Sequence, residues 1–262
     1  MPSVSLVVIA RDEEADLPAC LASVPFAAEK VVVDSGSHDR THDVARAAGA
    51  RLIEQTWLGY GLQKAFAFKQ AQGDWILNLD ADERLSPELA AEIPTATERA
   101  DIAGYRLRYR SEMFGRTLRF GGLGHETHLR LFRRSAGRVA ERTLHEGVEV
   151  DGRVATLSGR VLHRSYASYS EYLTKLDAYT TLSAQARSAQ GRRFSALSAA
   201  RLPWGFFRRY LLQLGFLDGF AGFTHAALAG FYDFLKEAKL QELERLPAPS
   251  APAGPSARTG TG

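Results

Sequence analysis

Residues 74–89 read DWILNLDADERLSPEL, and this stretch decides the predicted fold. Its first half is a short apolar run typical of a buried strand, and acidic residues follow it at once. Pro87 then marks the first turn of a helix. Upstream, three further apolar runs, at residues 3–9, 30–34 and 51–54, alternate with segments of helical character. The first of these helices is expected to be capped by Asp12 and to run to about Val24. This alternation predicts an α/β protein with a Rossmann-like, mostly parallel sheet, right-handed crossovers and helices on both faces.

Polar residues follow three of these predicted strands, at the point where each strand ends. They are Ala10-Arg11-Asp12-Glu13 after the first, Asp34-Ser35-Gly36-Ser37 after the second and Asp80-Ala81-Asp82 after the fourth. In open parallel sheets, ligands bind outside the carboxyl ends of the strands. We therefore expect these residues to line one ligand site at that edge of the sheet.

Asp80 and Asp82 form the sharpest local motif. Two carboxylates two residues apart can bind one hard divalent cation, and that cation can bridge two phosphates of a nucleotide. Such triplets also occur in capping and solvated turns, but the position at a strand end favours the metal site. Glu83 is interpreted as a neighbouring solvated or capping charge. Asp34 can accept from a base N–H or a ribose hydroxyl, or it can serve a turn and the cap of the next helix.

The second half of the chain has a different pattern. Between residues 105 and 163, period-two alternation with glycine-containing turns predicts short, partly antiparallel strands. Residues 168–190 and 203–246 are expected to be helical, the second segment as one or two helices rich in aromatic residues. Residues 247–262 have no large apolar side chain and are expected to be a disordered tail.

Composition and charge narrow the function classes. The chain has 262 residues and one cysteine, Cys20, which excludes an intramolecular disulfide framework and favours a reducing compartment. We find no secretory signal and expect a cytoplasmic protein. Residues 1–100 carry 9 Lys and Arg against 16 Asp and Glu, whereas residues 101–262 carry 24 against 14. The basic half would attract phosphates or an anionic membrane surface, but no nucleic-acid-binding motif accompanies it.

Several segments together resemble family 2 glycosyltransferases of the GT-A fold. They are SLVVIARDEE, VVVDSGSHDRT, the WLGYGLQK segment and DWILNLDADERLSPEL. More narrowly, they resemble the WaaE/KdtX-type glucosyltransferases of the lipopolysaccharide core. Three downstream segments are similar to the same subgroup: LHEGV, VLHRSYASYSEYLTKLDAYT and RYLLQLGFLDGFAGFTHAALAGFYDFLKEAKLQEL. The resemblance implies a GT-A catalytic domain at residues 1–165, with a nucleotide-sugar half at 1–100 and an acceptor half at 101–165. A helical C-terminal region at 166–246 would follow.

The resemblance also implies a UDP-sugar donor, a divalent metal such as Mg²⁺ or Mn²⁺, and inversion at the anomeric carbon by single displacement. By this resemblance, Ala10, Arg11 and Glu13 would flank the uracil, and Asp34 would read the base. Asp80 would face the ribose or the metal, and Asp82 would be the main metal ligand. Position 12 departs from the family, which usually has Asn where this chain has Asp, so the base contacts of that position stay open. Lys64, in WLGYGLQK, would contact the donor diphosphate or sugar, or it is a lysine on the helix surface.

Acceptor-side chemistry requires a base that takes the proton of the attacking hydroxyl. Glu146 is the predicted base, with His145 as the alternative base or as the residue that orients Glu146, and Glu141 as a lesser candidate. His163 is either a second metal ligand or a partly buried histidine hydrogen-bonded at a strand end. Three arginines are candidate phosphate clamps: Arg130, Arg133 and Arg134.

Residues 210–236 combine aromatic residues with flanking basic residues. Their longest run without a charged residue is the 14 residues of 219–232, which is too short to span a bilayer. The segment could lie in the headgroup plane of the cytoplasmic face of the inner membrane, cover the core, or form a dimer face. The sequence thus predicts a peripheral enzyme that transfers a hexose, glucose by resemblance, from a UDP-sugar to a lipid-linked inner-core saccharide of lipopolysaccharide. A polyprenyl-phosphate glycosyltransferase and a non-catalytic nucleotide-sugar-binding protein are the alternatives.

Overall fold

The computed structural model describes residues 1–124, 126–139, 148–166 and 168–245. The helices and strands in chain order are β1 (Val4–Ala10), α1 (Leu17–Ala22), β2 (Glu29–Asp34), α2 (Thr41–Ala47), β3 (Arg51–Glu54), α3 (Tyr60–Gln70), β4 (Trp75–Asp80), β5 (Glu83–Leu85), α4 (Pro87–Thr97), β6 (Gly104–Met113), β7 (Arg116–Thr117), β8 (Thr127–Arg133), β9 (Gly137–Val139), β10 (Val148–Val150), β11 (Val154–Tyr166), α5 (Tyr169–Ala189), α6 (Arg201–Phe207) and α7 (Gly219–Arg245). Within these residues, one sheet has the order β3-β2-β1-β4-β8-β6-β11-β5, with β7 paired to β6. The strands β9 and β10 form a separate hairpin.

The first four strands of this order are parallel, as the sequence predicts. Strand β1 lies between β2 and β4, and β3 pairs with β2. The registers place Ala10 opposite Asp34, and Ile9 opposite Asp80. The polar residues that follow these three strands therefore meet at one edge of the sheet.

The remaining strands are mixed in direction. Strand β8 is antiparallel to both β4 and β6, β6 and β11 are parallel, and β5 pairs antiparallel with β11 at the sheet edge. The predicted strands of this region are partly antiparallel but not all short, because β6 has 10 residues and β11 has 13. Their length extends the sheet beyond the parallel half.

Helices cover both faces of the sheet. On one face, α1, α2 and α4 pack against the largest apolar cluster, which includes the fully buried Leu21, Leu77 and Ile93. On the other face, α3 and the β9–β10 hairpin pack around Phe68 and Phe132. The predicted α/β class, with a mostly parallel sheet, helices on both faces and a helical C-terminal part, is confirmed.

One predicted helix begins later than the sequence suggests. The pattern predicted a helix from Asp12, but α1 begins at Leu17. Asp12 has a φ of 55°, which no right-handed helix accommodates, and its carboxylate accepts instead from the His38 amide at 2.7 Å. This conformation holds the loop after β1 against the loop after β2.

The C-terminal region consists of two long helices and a broken segment between them. Helix α5 begins after Ser168, whose hydroxyl accepts from the Glu171 amide at 3.1 Å, and it packs against α7. Between α6 and α7 the chain forms a π-helical turn, Arg208–Leu212, and a 3₁₀ turn, Gly215–Asp218. The Asp218 carboxylate accepts from two backbone amides in the loop after β7, which anchors this segment to the sheet. The predicted disordered tail at 247–262 lies outside the described residues.

Candidate active site

Asp34, at the end of β2, is fully buried and bound within its own turn. Its Oδ2 accepts from the amides of Gly36 at 2.8 Å and Ser37 at 2.9 Å, and His42 Nε2 lies 2.9 Å from the same oxygen. The Ser37 hydroxyl donates to Oδ1. Burial alone would raise the pKa of Asp34, but these hydrogen bonds hold it below its ordinary value. The carboxylate therefore stabilises the loop, and its contact with a donor base stays a prediction.

The loop after β1 is tied to the Asp34 turn by backbone donors. The Asp12 amide donates to the Ser37 hydroxyl at 2.8 Å, and the Glu13 amide donates to the Thr41 hydroxyl at 2.8 Å. The loop after β1 is thus held by the turn after β2 and by the first residue of α2. Of the predicted uracil-flanking residues, Ala10 ends β1 and is buried, whereas Arg11 lies in this loop with a side chain that is 58% exposed.

Asp80, at the end of β4, is held between two cations. Lys64 Nζ lies 3.0 Å from its Oδ1, and the Arg130 guanidinium donates to its Oδ2 at 2.6 Å. Burial opposes ionisation, but the charges of Arg130 and Lys64 hold the pKa of Asp80 well below its ordinary value. Lys64 therefore points to the sheet edge, as the donor-contact prediction requires, and both Asp80 oxygens have protein partners.

Glu83 is buried, so the interpretation of this residue as a solvated or capping charge was wrong. It is 2% exposed, and its carboxylate accepts from the Asp80 amide at 3.0 Å and from Arg130 at 2.7 Å. The side chain points inward because β5 pairs with β11 with Glu83 opposite His163. Burial raises the pKa of Glu83 above its ordinary value, and the Asp80 charge adds to this although Arg130 opposes it.

Arg130 links these acidic residues through a fork of donors. Besides Asp80 and Glu83, its Nε donates to the buried Tyr109 hydroxyl at 2.7 Å. Its guanidinium is thus committed to protein groups in this structure. The two other candidate clamps donate to backbone carbonyls: Arg133 to those of Ile102 and Arg99, and Arg134 to that of Gly73.

Asp82 forms no ion pair with a lysine or arginine of the described residues. Its Oδ2 lies 3.3 Å from His163 Nε2, and its side chain is 22% exposed. Burial would lower the pKa of His163, but its hydrogen bond to Asp82 and the charge of Asp82 raise it. Nearby, burial and the Asp82 charge raise the pKa of Glu13 to about 7. The charge of Asp82 thus raises the pKa of both His163 and Glu13.

A divalent cation fits this part of the site. The Asp82 carboxylate is a suitable donor for Mg²⁺ or Mn²⁺, the neutral His163 imidazole could add a nitrogen ligand to Mn²⁺, and a cation would offset the charge of Asp82. No cluster of three or more His, Cys, Asp or Glu side chains that could hold a metal occurs among the described residues. A cation bound here would need further ligands from a substrate.

The predicted base and its alternatives lie outside the described residues. Glu146, His145 and Glu141 belong to residues 140–147, which connect β9 to β10. The described parts of this hairpin pack on the α3 side of the sheet. That is the side from which Lys64, on α3, approaches Asp80.

The sequence reasoning missed Tyr109 and the inward role of Glu83. The alternation RLRYR at residues 106–110 does place Tyr109 on the buried side of β6, and this signal could have identified it. No local signal pairs Glu83 with Arg130, because these two residues meet only through the pairing of β4 with β8. Trp57 is partly exposed and packs edge-on against Tyr60, with ring centroids 4.7 Å apart.

Comparisons with known proteins bear on this site. A sequence profile described as Glycosyl transferase family 2 matches residues 5–148. A glycosyltransferase of Rickettsia typhi is 33% identical over 261 residues, covering 93% of this chain and 88% of the relative. The lipopolysaccharide core biosynthesis glycosyltransferase LpsC of Rhizobium meliloti is 33% identical over 253 residues, covering 93% of this chain and 94% of LpsC.

A solved structure is also similar in part. It is glucosyl-3-phosphoglycerate synthase from Mycobacterium tuberculosis in complex with Mn²⁺, uridine diphosphate and glucosyl-3-phosphoglycerate. The match has a TM-score of 0.36 and 25% identity, and it covers 42% of this chain and 44% of that one. At this level of similarity no individual contact is transferable between the two proteins.

Proposed function

The chain belongs to glycosyl transferase family 2 and is a glycosyltransferase, and on that premise we propose that it transfers a hexose, specifically glucose, from a UDP-sugar to an inner-core sugar of lipopolysaccharide. The reaction would invert the anomeric carbon by single displacement. The observation that carries the proposal is the convergence of three strand ends on one sheet edge, where Asp82 keeps an accessible carboxylate beside His163. Similarity to LpsC over nearly the whole chain supports the acceptor class.

Asp82 and His163 would hold a divalent cation at this edge. When bound, such a cation stabilises the negative charge that grows on the leaving diphosphate. Asp80, which we predicted as a metal or ribose contact, has both oxygens paired, so its direct ligation would require Lys64 or Arg130 to move. We therefore assign Asp80 the role of holding Lys64 at the donor side, where its ammonium group can contact the diphosphate.

On the donor side, Asp34 would act through the loop that it stabilises. Ala10 ends β1, and Arg11 and Glu13 lie in the loop that follows, which is hydrogen-bonded to Ser37 of that turn and to Thr41 of α2. These residues would then enclose the uracil with little rearrangement of the backbone. The proton of the acceptor hydroxyl would pass to Glu146, with His145 as the alternative base.

The test is a matched set of three variants of the full-length protein. Asp82→Asn should lower glucose transfer from UDP-glucose at least a hundredfold and abolish Mn²⁺-dependent UDP binding in calorimetry. Glu146→Gln should lower transfer as strongly but keep UDP binding, because a base acts only in the chemical step. Asp43→Asn, an exposed residue of α2, is the control and should behave as the unmodified protein.

Near-normal transfer by Asp82→Asn would refute the metal assignment. An acceptor panel separates the remaining alternatives. Transfer to polyprenyl phosphate in place of a lipopolysaccharide core saccharide would change the proposed acceptor. UDP-sugar binding without transfer or donor hydrolysis would identify a non-catalytic binding protein.

We further propose that the region around α6 binds the cytoplasmic face of the membrane peripherally. Several large apolar side chains there are exposed, with Trp204 at 57%, Leu212 at 59% and Phe220 at 78% exposure. Exposed basic residues, Arg201 and Arg208, accompany them and suit anionic lipid headgroups. No helix in the described part of the chain is both long and apolar enough to cross a bilayer.

A further inference from the structure

One exposed sheet surface carries an unusual density of arginines. On β6, Tyr105, Leu107 and Tyr109 are buried, whereas the alternating Arg106, Arg108 and Arg110 are exposed. Because successive residues of a strand point to opposite faces, these arginines share one face. We define the arginine face as the surface formed by Arg84, Arg106, Arg108, Arg110 and Arg160.

Strand register extends this face across three strands. Arg160 of β11 lies directly opposite Arg108 of β6. One row further, Leu162 of β11 lies between Arg110 of β6 and Arg84 of β5. Neighbouring strands are about 4.8 Å apart, so the backbones at Arg84 and Arg110 are separated by about 10 Å, with side chains on the same side.

These arginines have few partners within the protein. In the described ranges, no hydrogen bond or ion pair engages the guanidinium groups of Arg84, Arg106, Arg108 or Arg110. Within the described part of the chain, the Arg160 guanidinium donates to the Tyr109 carbonyl, at 3.3 Å, and to no other group. Like charges placed directly opposite each other destabilise a sheet, and a bound anion would offset that repulsion.

A small cavity lies at one end of this face. Its volume is about 140 Å³, and it is lined by Arg84, Arg110, Glu112, Thr117, Leu162, His163 and Arg164. Three arginines outnumber the one carboxylate of the lining, Glu112, and suit a compact oxyanion, since guanidinium forks match phosphate and carboxylate geometry. His163 also lines the cavity, but it follows Leu162 on β11 and is paired with the buried Glu83, so its side chain points to the opposite face of the sheet. There its Nε2 lies 3.3 Å from Asp82 Oδ2, so the cavity and the reaction site lie on either side of β11 at the same end of the strand.

We propose that the arginine face binds phosphate or carboxylate groups carried by the acceptor saccharide, with one such group in the cavity beside His163. This rests on the proposed function, which places the transferred sugar near Asp82. The acceptor is favoured over lipid headgroups because the cavity is concave and adjoins the site. The exposed apolar side chains suited to a bilayer belong to other elements, α6, α7 and the turns between them.

The test uses the full-length double variant Arg84→Gln/Arg110→Gln. Calorimetry at low ionic strength measures the binding of glucose 6-phosphate, inorganic phosphate and uncharged glucose. We expect the double variant to lose at least tenfold in affinity for glucose 6-phosphate and phosphate, and its binding to depend less on salt. Arg46→Gln, an exposed arginine on α2, is the matched control and should bind as the unmodified protein.

Two further measurements distinguish the outcomes. The double variant and the unmodified protein should sediment equally with vesicles that contain phosphatidylglycerol. If the double variant loses vesicle binding but keeps its affinity for glucose 6-phosphate, the acceptor assignment is overturned in favour of lipid. Glucose 6-phosphate binding no tighter than glucose, or unaffected by the double substitution, would overturn the proposal outright. Mn²⁺-dependent UDP binding is measured in parallel, so failure of the donor function is recognised separately.

Discussion

Substitution of Arg130 by methionine removes a cation that contacts Asp80, Glu83 and the Tyr109 hydroxyl at once. The side chain is 12% exposed, and Glu83 is 2% exposed. Removal of one member of a buried ion pair leaves an uncompensated charge and costs about 3–5 kcal/mol. Asp80 retains Lys64 and Glu83 retains the Asp80 amide, so we expect a loss near the lower end, about 3 kcal/mol at pH 7.

The pH dependence of that loss follows from Glu83. Its pKa is already raised by burial, and without Arg130 it rises further. A carboxyl whose pKa is higher in the folded than in the unfolded state binds protons more tightly when folded, so stability falls as pH rises from the unfolded pKa through the folded one. The difference in unfolding free energy between Arg130→Met and the unmodified protein should therefore be larger at pH 8 than at pH 5.

Urea unfolding followed by circular dichroism measures these free energies. A double-mutant cycle with Glu83→Gln isolates the pair, and we expect a coupling of about 2 kcal/mol. Arg138→Met is the control, because Arg138 and its partner Asp151 are both largely exposed, and such pairs contribute less than about 1 kcal/mol. Additive effects at positions 83 and 130, or a loss below about 1 kcal/mol for Arg130→Met, would contradict the inferred network.

Two other predictions address the site and the C-terminal region. In metal-free protein, Glu13→Gln should become more stable relative to the unmodified protein as pH rises from 5 to 8, by about 1–2 kcal/mol after allowance for partial exposure. The reason is that a Glu13 pKa of about 7 makes ionisation of this carboxyl costly in the folded protein. A difference in urea unfolding that does not change with pH would contradict this. The triple variant Trp204→Ser/Leu212→Ser/Phe220→Ser should bind anionic vesicles at least tenfold more weakly than the unmodified protein, because it lacks three exposed apolar side chains. Equal sedimentation of both proteins with vesicles would exclude a membrane role for these residues.

Local patterns were sufficient for the parallel half of the fold. The four predicted strands near residues 3–9, 30–34, 51–54 and 74–79 correspond to β1, β2, β3 and β4. Burial on both faces makes such strands continuous apolar runs, and a parallel arrangement brings their carboxyl ends to a common edge. The meeting of the polar segments at one edge was predictable for this reason. The start of α5 near residue 168 was predictable from its own helical pattern.

Local patterns failed where backbone conformation depends on a contact between loops. Asp12 looked like a helix cap, but its positive φ is maintained by hydrogen bonds to Ser37 and His38 of the neighbouring loop. No periodicity within residues 12–24 contains that information. The late start of α1 therefore became visible only when β1 and β2 were placed side by side.

By itself, then, the amino-acid sequence determined the α/β class, the edge where polar residues collect and the family, because these depend on periodicity and short motifs. Tertiary structure alone decided what the charged residues do. Glu83 is a buried partner of Arg130, and Asp80 forms an ion pair with Lys64. The arginines of β5, β6 and β11 share one face of the sheet. The physical reason is that burial and pairing of a charge are set by strands distant in sequence, whose register no local pattern specifies.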